Sequence, residues 1–167
     1  MRLLHHLKVA ALCVAVALSV TSPVSAGQAE SALLQKYAGS WKGTGKVTGP
    51  DPGTVSCRLT MKGTTPGKLT YTGRCSFTAG AASFRGGIVY NDANKRFEAS
   101  SSAQGVATTT VGKRSGGGVV FSTSGMETRY GTASSSLSLT GGSIKMSFKL
   151  VDKDGETMAS SITFGKN

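Results

Sequence analysis

Histidine is nearly missing. The chain has 167 residues and two histidines, His5 and His6, both within the first six positions. Cysteine is scarce too, with three copies at Cys13, Cys57 and Cys75. Acidic residues number 8 against 19 basic ones, and there is a single tryptophan, Trp41. Long helical periodicity is absent. The one sustained apolar run, Val9 to Val20, lies at the start. Beyond position 6 these absences exclude a Ser-His-Asp or Cys-His catalytic site. They also exclude a Cys/His zinc site and haem held through histidine.

The apolar run explains where the histidines go. Met1 to Lys8 is a short basic segment, Val9 to Val20 has the length of a signal-peptide core, and Val24-Ser25-Ala26 offers the small-x-small pattern of a cleavage site. The alternative, a transmembrane anchor, needs roughly 20 apolar residues, and this run is shorter. A lipid-attachment cysteine is not expected at Cys13, which sits inside the apolar run. The division expected is therefore a cleavable leader, 1–26, and one domain, 27–167, exported to the periplasm or secreted. The mature chain has no transmembrane segment. Cleavage removes both histidines, Cys13, Arg2 and Lys8. Seventeen basic residues then face 8 acidic ones, a net charge of +9. The two remaining cysteines, Cys57 and Cys75, most simply form one disulfide in an oxidising compartment.

What the mature chain has in abundance is alternation. Leu33, Leu34 and Tyr37 share one face of a short helix over 31–37, which Gly39 would end. After it the pattern has period two. Trp41, Gly43, Gly45 and Val47 alternate with Lys42, Thr44, Lys46 and Thr48. Val55, Cys57, Leu59 and Met61 follow, then Leu69, Tyr71, Gly73, Cys75 and Phe77. Phe84, Gly86, Ile88 and Tyr90 precede Phe97, Ala99 and Ser101. The 107–114 stretch is weaker, Val119 and Phe121 mark a further strand, and 126–139 could hold one bent strand or two. Ile144, Met146, Phe148 and Leu150 are followed by Met158, Ser160, Ile162 and Phe164. Turn chemistry separates these segments at Gly63–Gly67, Asn91–Asn94, Ser115–Gly118, Gly141-Gly142 and Asp152–Gly155.

About ten short strands with tight connections make a meander. One apolar face per strand curls the sheet around that face. The expected fold is all-β: an antiparallel up-and-down barrel of eight to ten strands with a short N-terminal helix, a closure that also removes sticky edges. A β-sandwich is the alternative. One hairpin can be read to the residue. A turn centred on Pro66 sets Met61 opposite Tyr71, Leu59 opposite Gly73 and Cys57 opposite Cys75, all on the apolar face. Directly opposed residues of a non-hydrogen-bonded pair lie about 4.5 Å apart, close enough to bridge.

Gly39-Ser40-Trp41 with Gly43 and Gly45 resembles the opening strand of lipocalin-like (calycin) barrels, in which a short helix leads into Gly-x-Trp and the Trp plugs the barrel base. The Trp-x-Gly-x-Gly form and Phe84-Arg85-Gly86-Gly87-Ile88-Val89-Tyr90-Asn91-Asp92 are similar to the nitrobindin-related exported barrels. The resemblance implies the barrel fold and leaves the ligand open. It departs from the nitrobindin pattern in having no histidine for haem, and from the lipocalin pattern in offering Lys166, not Arg, over the Trp. Small periplasmic inhibitors of metalloproteases are also similar, being barrels with an early Trp and one disulfide. They act through an N-terminal tail, which here would be only Gly27 to about Glu30.

The functional expectation is a binding protein, not an enzyme, with no cofactor and no metal. Inward aromatics Trp41, Tyr71, Phe84, Tyr90, Phe97 and Phe148 are the candidate wall of a site for a small apolar or amphipathic ligand. Most such side chains simply fill a small barrel, and space would come from the inward small residues Gly43, Gly45, Gly73, Gly86, Ala99, Ser101 and Ser160. The alternative is an envelope interaction protein, a protease inhibitor or a binder of anionic glycan or lipid, acting through its basic outer face. Lys42, Lys46, Lys145 and Lys149 are its candidate residues. Nucleic acid is not expected, since the outward phase lacks a run of aromatics for stacking.

Overall fold

The computed structural model describes residues 26–78, 80–103 and 105–167. The expected leader lies, up to Ser25, outside the described residues. A helix, α1 (Ala26–Gln35), is followed by ten strands: β1 (Gly39–Thr48), β2 (Gly53–Thr65), β3 (Lys68–Phe77), β4 (Gly80–Asn91), β5 (Arg96–Ala103), β6 (Val106–Ser115), β7 (Gly118–Thr128), β8 (Gly131–Thr140), β9 (Ser143–Asp152) and β10 (Thr157–Lys166). Each strand pairs antiparallel with its sequence neighbours, and β1 pairs with β10 to close the barrel. The 126–139 stretch is thus the end of one strand and the start of another, split by the turn at Arg129-Tyr130.

The helix starts earlier and stops sooner than the apolar pattern suggests. After Gln35 the chain tightens: the Tyr37 amide donates to the Leu34 carbonyl at 3.0 Å and that of Ala38 to Gln35 at 3.1 Å. Gly39, at φ +134°, then redirects it into β1. That φ is one a side chain rarely tolerates. Another such place is the β8–β9 turn, where Gly141 and Gly142 sit at φ +58° and +74°. These are the two left-handed residues of a tight hairpin.

Register follows the alternation. Met61 faces Tyr71, Leu59 faces Gly73 and Cys57 faces Cys75, and a disulfide joins the two cysteines. β7 breaks the alternation once, between Thr123 and Met126. Gly125 lies there at φ +65°, the local twist of a bulge.

Successive turns fall at opposite ends of an up-and-down barrel. α1 lies at the end that carries the β2–β3, β4–β5, β6–β7 and β8–β9 turns. Three contacts seat it. The Gln35 side-chain amide donates to the Lys68 carbonyl at 3.4 Å. The Trp41 indole donates to the Tyr37 carbonyl at 3.0 Å. Glu30 pairs with Arg114, and the Arg114 guanidinium also stands 5.5 Å from the Phe97 ring centre. Burial pushes the Tyr37 phenol pKa up. Leu33, Leu34, Tyr37, Trp41, Leu69, Ile88, Val119, Leu139, Ile144 and Phe164 form the packed core beneath the helix. Lys166 is the register partner of Trp41, and its ammonium lies 5.6 Å from the indole. A lysine cation therefore covers the plugging Trp.

Candidate functional site

The inward phase is packed at one end and wet at the other. Trp41, Tyr71 and Phe97 are buried, and Phe84 and Tyr90 pack against the same core. Ring pairs lock them: Tyr37 with Trp41 at 6.2 Å, Tyr71 with Phe84 at 6.3 Å and Tyr90 with Phe97 at 5.0 Å. Burial pushes the Tyr71 phenol up, and its hydroxyl donates to the Ser100 carbonyl at 3.3 Å. Trp41, Tyr90 and Phe97 belong to the helix end, Tyr71 packs next to them, and Phe84 lies farther along the wall in the same cross-strand row as Ala103 and Val106.

Phe148 is different. It shares the inward phase of Ile144 on β9, yet it is 38% exposed. Three other inward-phase residues behave alike: Phe77 at 38%, Val106 at 39% and Met158 at 39%. All four lie toward the end opposite α1, near the β1–β2, β3–β4, β5–β6, β7–β8 and β9–β10 connections. Tyr130, in the β7–β8 turn of that end, is exposed as well, with the Arg129 guanidinium 4.7 Å from its ring centre. The structure thus separates Phe148 from the buried aromatics, and Phe77, Val106, Tyr130 and Met158 are further apolar side chains exposed toward the same end of the barrel. The sequence carried a signal for this division. Counting turns from the helix assigns each strand end to one end of the barrel, and these residues all fall at the far one.

The inward glycines do not leave empty space at the packed end. Gly73 is the register partner of Phe84, Gly86 of Tyr71 and Gly112 of Phe121. A methyl group added at any of the three would run into its partner's ring. Each glycine lets an aromatic ring lie flat on the wall. Gly43 and Gly45 likewise face Ile162.

An open pocket of about 750 Å3 runs along β1, β8, β9 and β10. Its lining takes Phe148, Ser135 and Ser160 from the inward phase but Lys46, Lys149, Ser134, Ser147 and Ser161 from the outward one. A cavity enclosed by the barrel would draw on inward side chains and would touch the opposite wall. This pocket draws on both phases and stays on four neighbouring strands without reaching the opposite wall, so it is a depression in one wall. A second, of about 470 Å3, has the same character along β3 to β6.

The four candidate lysines do not form one cluster. Lys42 and Lys46 are on β1, and Lys145 and Lys149 are on β9, with β10 between them. Lys46 faces Ser161 across to β10, and Ser161 faces Ser147 of β9. Lys42 has cationic neighbours on its other side: it is the register partner of Arg58, and Arg58 is that of Arg74. Among the described residues the ion pairs are Arg96 with Glu98 at 2.7 Å and Arg114 with Glu30. The Arg96 hydrogen bond holds the Glu98 carboxyl below its ordinary range. No group of three or more His, Cys, Asp or Glu residues that could hold a metal ion occurs among the described residues. No described helix is long and apolar enough to cross a membrane.

No protein-family model matches the chain, and no curated protein matches it. Solved structures do. Rv2717c from M. tuberculosis is similar with a TM-score of 0.62 at 14% identity, over 83% of this chain and 97% of that one. The S-type phycobiliprotein lyase CPES from Guillardia theta gives 0.57 at 10% identity, over 81% and 91%. At these identities the likeness is one of fold. The protein is a closed, ten-strand antiparallel barrel that resembles lipocalin-like (calycin) barrels.

Proposed function

We propose that this is an exported binding barrel that takes a small apolar or amphipathic molecule at its open end. The observation that carries the reading is the exposure of Phe77, Val106, Phe148 and Met158, inward-phase side chains gathered at the end opposite α1. Exposed apolar surface held together in this way costs solubility and marks binding surfaces. A mouth walled by apolar side chains with a packed base suits a ligand inserted from one side. Tyr130 and Arg129 on the rim would meet a polar or anionic group left outside. Barrels of this architecture include a phycobiliprotein lyase, in keeping with a small-molecule role. The nitrobindin-related motifs belong to the same reading, without histidine-held haem, because His5 and His6 precede the domain.

The test is titration with the fluorescent probe 1-anilinonaphthalene-8-sulfonate, together with native mass spectrometry of protein purified from its own envelope. The expected result is saturable probe binding that Phe148→Asp with Met158→Asp weakens at least tenfold, and a co-purified small molecule. Equal binding by parent and variant would overturn the reading. The same preparation tests export, since its mass should begin at Gly27.

A second reading rests on the surplus of outward cations. Seventeen basic residues and 8 acidic ones follow the leader, a surplus that solubility alone does not require. An outer face that meets an anionic envelope component is the function this favours.

A further inference from the structure

Lys42, Arg58 and Arg74 stand in one straight cross-strand row on the outer wall. Lys42 of β1 is directly opposite Arg58 of β2, and Arg58 is directly opposite Arg74 of β3. All three are exposed. Opposed residues on adjacent strands have Cβ atoms about 5 Å apart, and like charges so placed repel. The rows on either side offer no relief. One holds Thr44, Ser56 and Ser76; the other holds Ser40, Thr60 and Thr72, and it continues into a fourth cation, Arg85 of β4. Hydroxyls surround the row and no carboxylate stands in it. Arg74 donates to Ser83 Oγ at 3.3 Å, a neutral partner that leaves the charge uncompensated.

The strands cannot slide to separate these charges. Arg58 and Arg74 follow and precede the disulfide-bonded pair Cys57 and Cys75 by one residue, so the covalent link on the inner face holds the guanidiniums opposite each other on the outer one. A repulsive row maintained by a covalent staple is satisfied by an anion from outside. Guanidinium forks match phosphate and sulfate oxygens two at a time.

We propose that the outer wall of β1–β4 around Lys42, Arg58 and Arg74 is a binding site for an extended polyanionic chain bearing closely spaced phosphate or sulfate groups. The shape of the row argues for a chain over a lipid surface. It is a line across the strands of a convex wall, and a line of cations meets a linear array of anions along its whole length, whereas a flat bilayer touches a convex wall over a narrow strip. The proposal deepens the outer-surface reading and rests on it for the sign of the partner.

The experiment compares three proteins: the parent, Lys42→Gln/Arg58→Gln/Arg74→Gln, and the charge-matched control Lys36→Gln/Lys113→Gln/Lys153→Gln. Each is titrated with long-chain inorganic polyphosphate over a salt series, with orthophosphate and phosphatidylglycerol vesicles as parallel arms. The expected result is that the parent and the control bind polyphosphate, that the row variant binds at least tenfold more weakly, and that its dependence on salt is flatter because fewer counterions are released. Thermal melting guards against misfolding. The free row variant should melt at or above the parent temperature at low salt, because repulsion is removed, while losing the rise in melting temperature that polyphosphate gives the parent. Equal binding by the row variant and the control would overturn the site but leave the outer-surface reading standing. No binding by the parent to polyphosphate, orthophosphate or vesicles would overturn both. Binding to vesicles without polyphosphate binding would overturn the chain-like partner.

Discussion

Lys166 and Trp41 are register partners on β10 and β1, and the lysine ammonium lies 5.6 Å from the indole centre. The contact joins the last strand to the first at the base of the barrel, over the one tryptophan. Trp41 is also tied to the end of α1 through its bond to the Tyr37 carbonyl. Closure of the sheet, seating of the helix and plugging of the base therefore meet at one side chain. Replacing Lys166 with Ala should lower unfolding free energy by about 0.5–1 kcal/mol, the scale of an exposed cation–π contact. Lys166→Arg should restore it. Trp41→Phe keeps an aromatic plug but loses the indole donor, and should cost about 1–3 kcal/mol for the buried carbonyl left without a partner. Urea unfolding followed by far-UV circular dichroism checks all three.

The disulfide closes a short loop across one hairpin, its ends 18 positions apart in sequence. Reduction should cost about 3 kcal/mol by the loop-entropy argument. A Cys57→Ser/Cys75→Ser variant and the reduced parent should unfold at the same urea concentration, below that of the oxidised parent. Coincidence of oxidised and reduced curves would show that the ladder alone sets the register of β2 and β3.

The glycine–ring pairs predict an unusual cost for a small change. Gly86→Ala places a methyl group against the Tyr71 ring and the Ser100 carbonyl, and Gly73→Ala places one against Phe84. Each should destabilise by about 1–3 kcal/mol, the usual penalty for overpacking, although alanine normally suits a strand no worse than glycine. Gly87→Ala, on the outward phase of the same strand, meets only ordinary contacts and should be nearly neutral. Chemical denaturation of the three variants decides the matter.

Tyr71 makes stability sensitive to alkali. Burial raises its folded pKa above the unfolded value. The neutral form is therefore favoured in the folded state, and its contribution is fully present below the unfolded pKa of about 10. It is lost as pH rises through the higher folded value. Melting temperature should fall above pH 10, less steeply in Tyr71→Phe, and phenolate absorbance should show one late-titrating group that the variant lacks. A parallel fall in both proteins would place the sensitivity elsewhere.

Glu98 works in the opposite direction. The hydrogen bond from Arg96 lowers its pKa, so its contribution is present above the unfolded carboxylate value and lost as pH falls through the lower folded one. Glu98→Gln should be less stable than the parent at neutral pH and equal to it in strong acid, as measured by melting across that range.

Period-two alternation and turn residues were enough to anticipate the barrel, because inward and outward positions on a strand are set by backbone geometry alone. The same logic reached the Cys57–Cys75 pairing: once Pro66 centres the turn, every opposed pair follows by counting. Alternation weakened where the chain bulges at Gly125 and where small residues stand inward, so 126–139 stayed open between one strand and two. The inward aromatics were legible as a set. Their division was legible only in part: counting turns assigns strand ends to one end of the barrel or the other, but phase does not say how far along the axis a mid-strand residue such as Phe148 lies or how far the packed core reaches.

Residue types and their spacing determined, without any coordinates, that the wall is a β meander, that histidine chemistry is excluded beyond position 6, and that Cys57 faces Cys75. These are local properties of a strand and of the turn beside it. Only the closed tertiary structure decided that Phe148 stands in the open mouth while Tyr71 and Phe97 lie in the packed base. It alone put rings over Gly73 and Gly86, and set Lys42 in line with Arg58 and Arg74 rather than beside Lys145. Those relationships join residues on strands whose neighbours, tilt and distance from the helix exist only once β1 has met β10 and the barrel has closed.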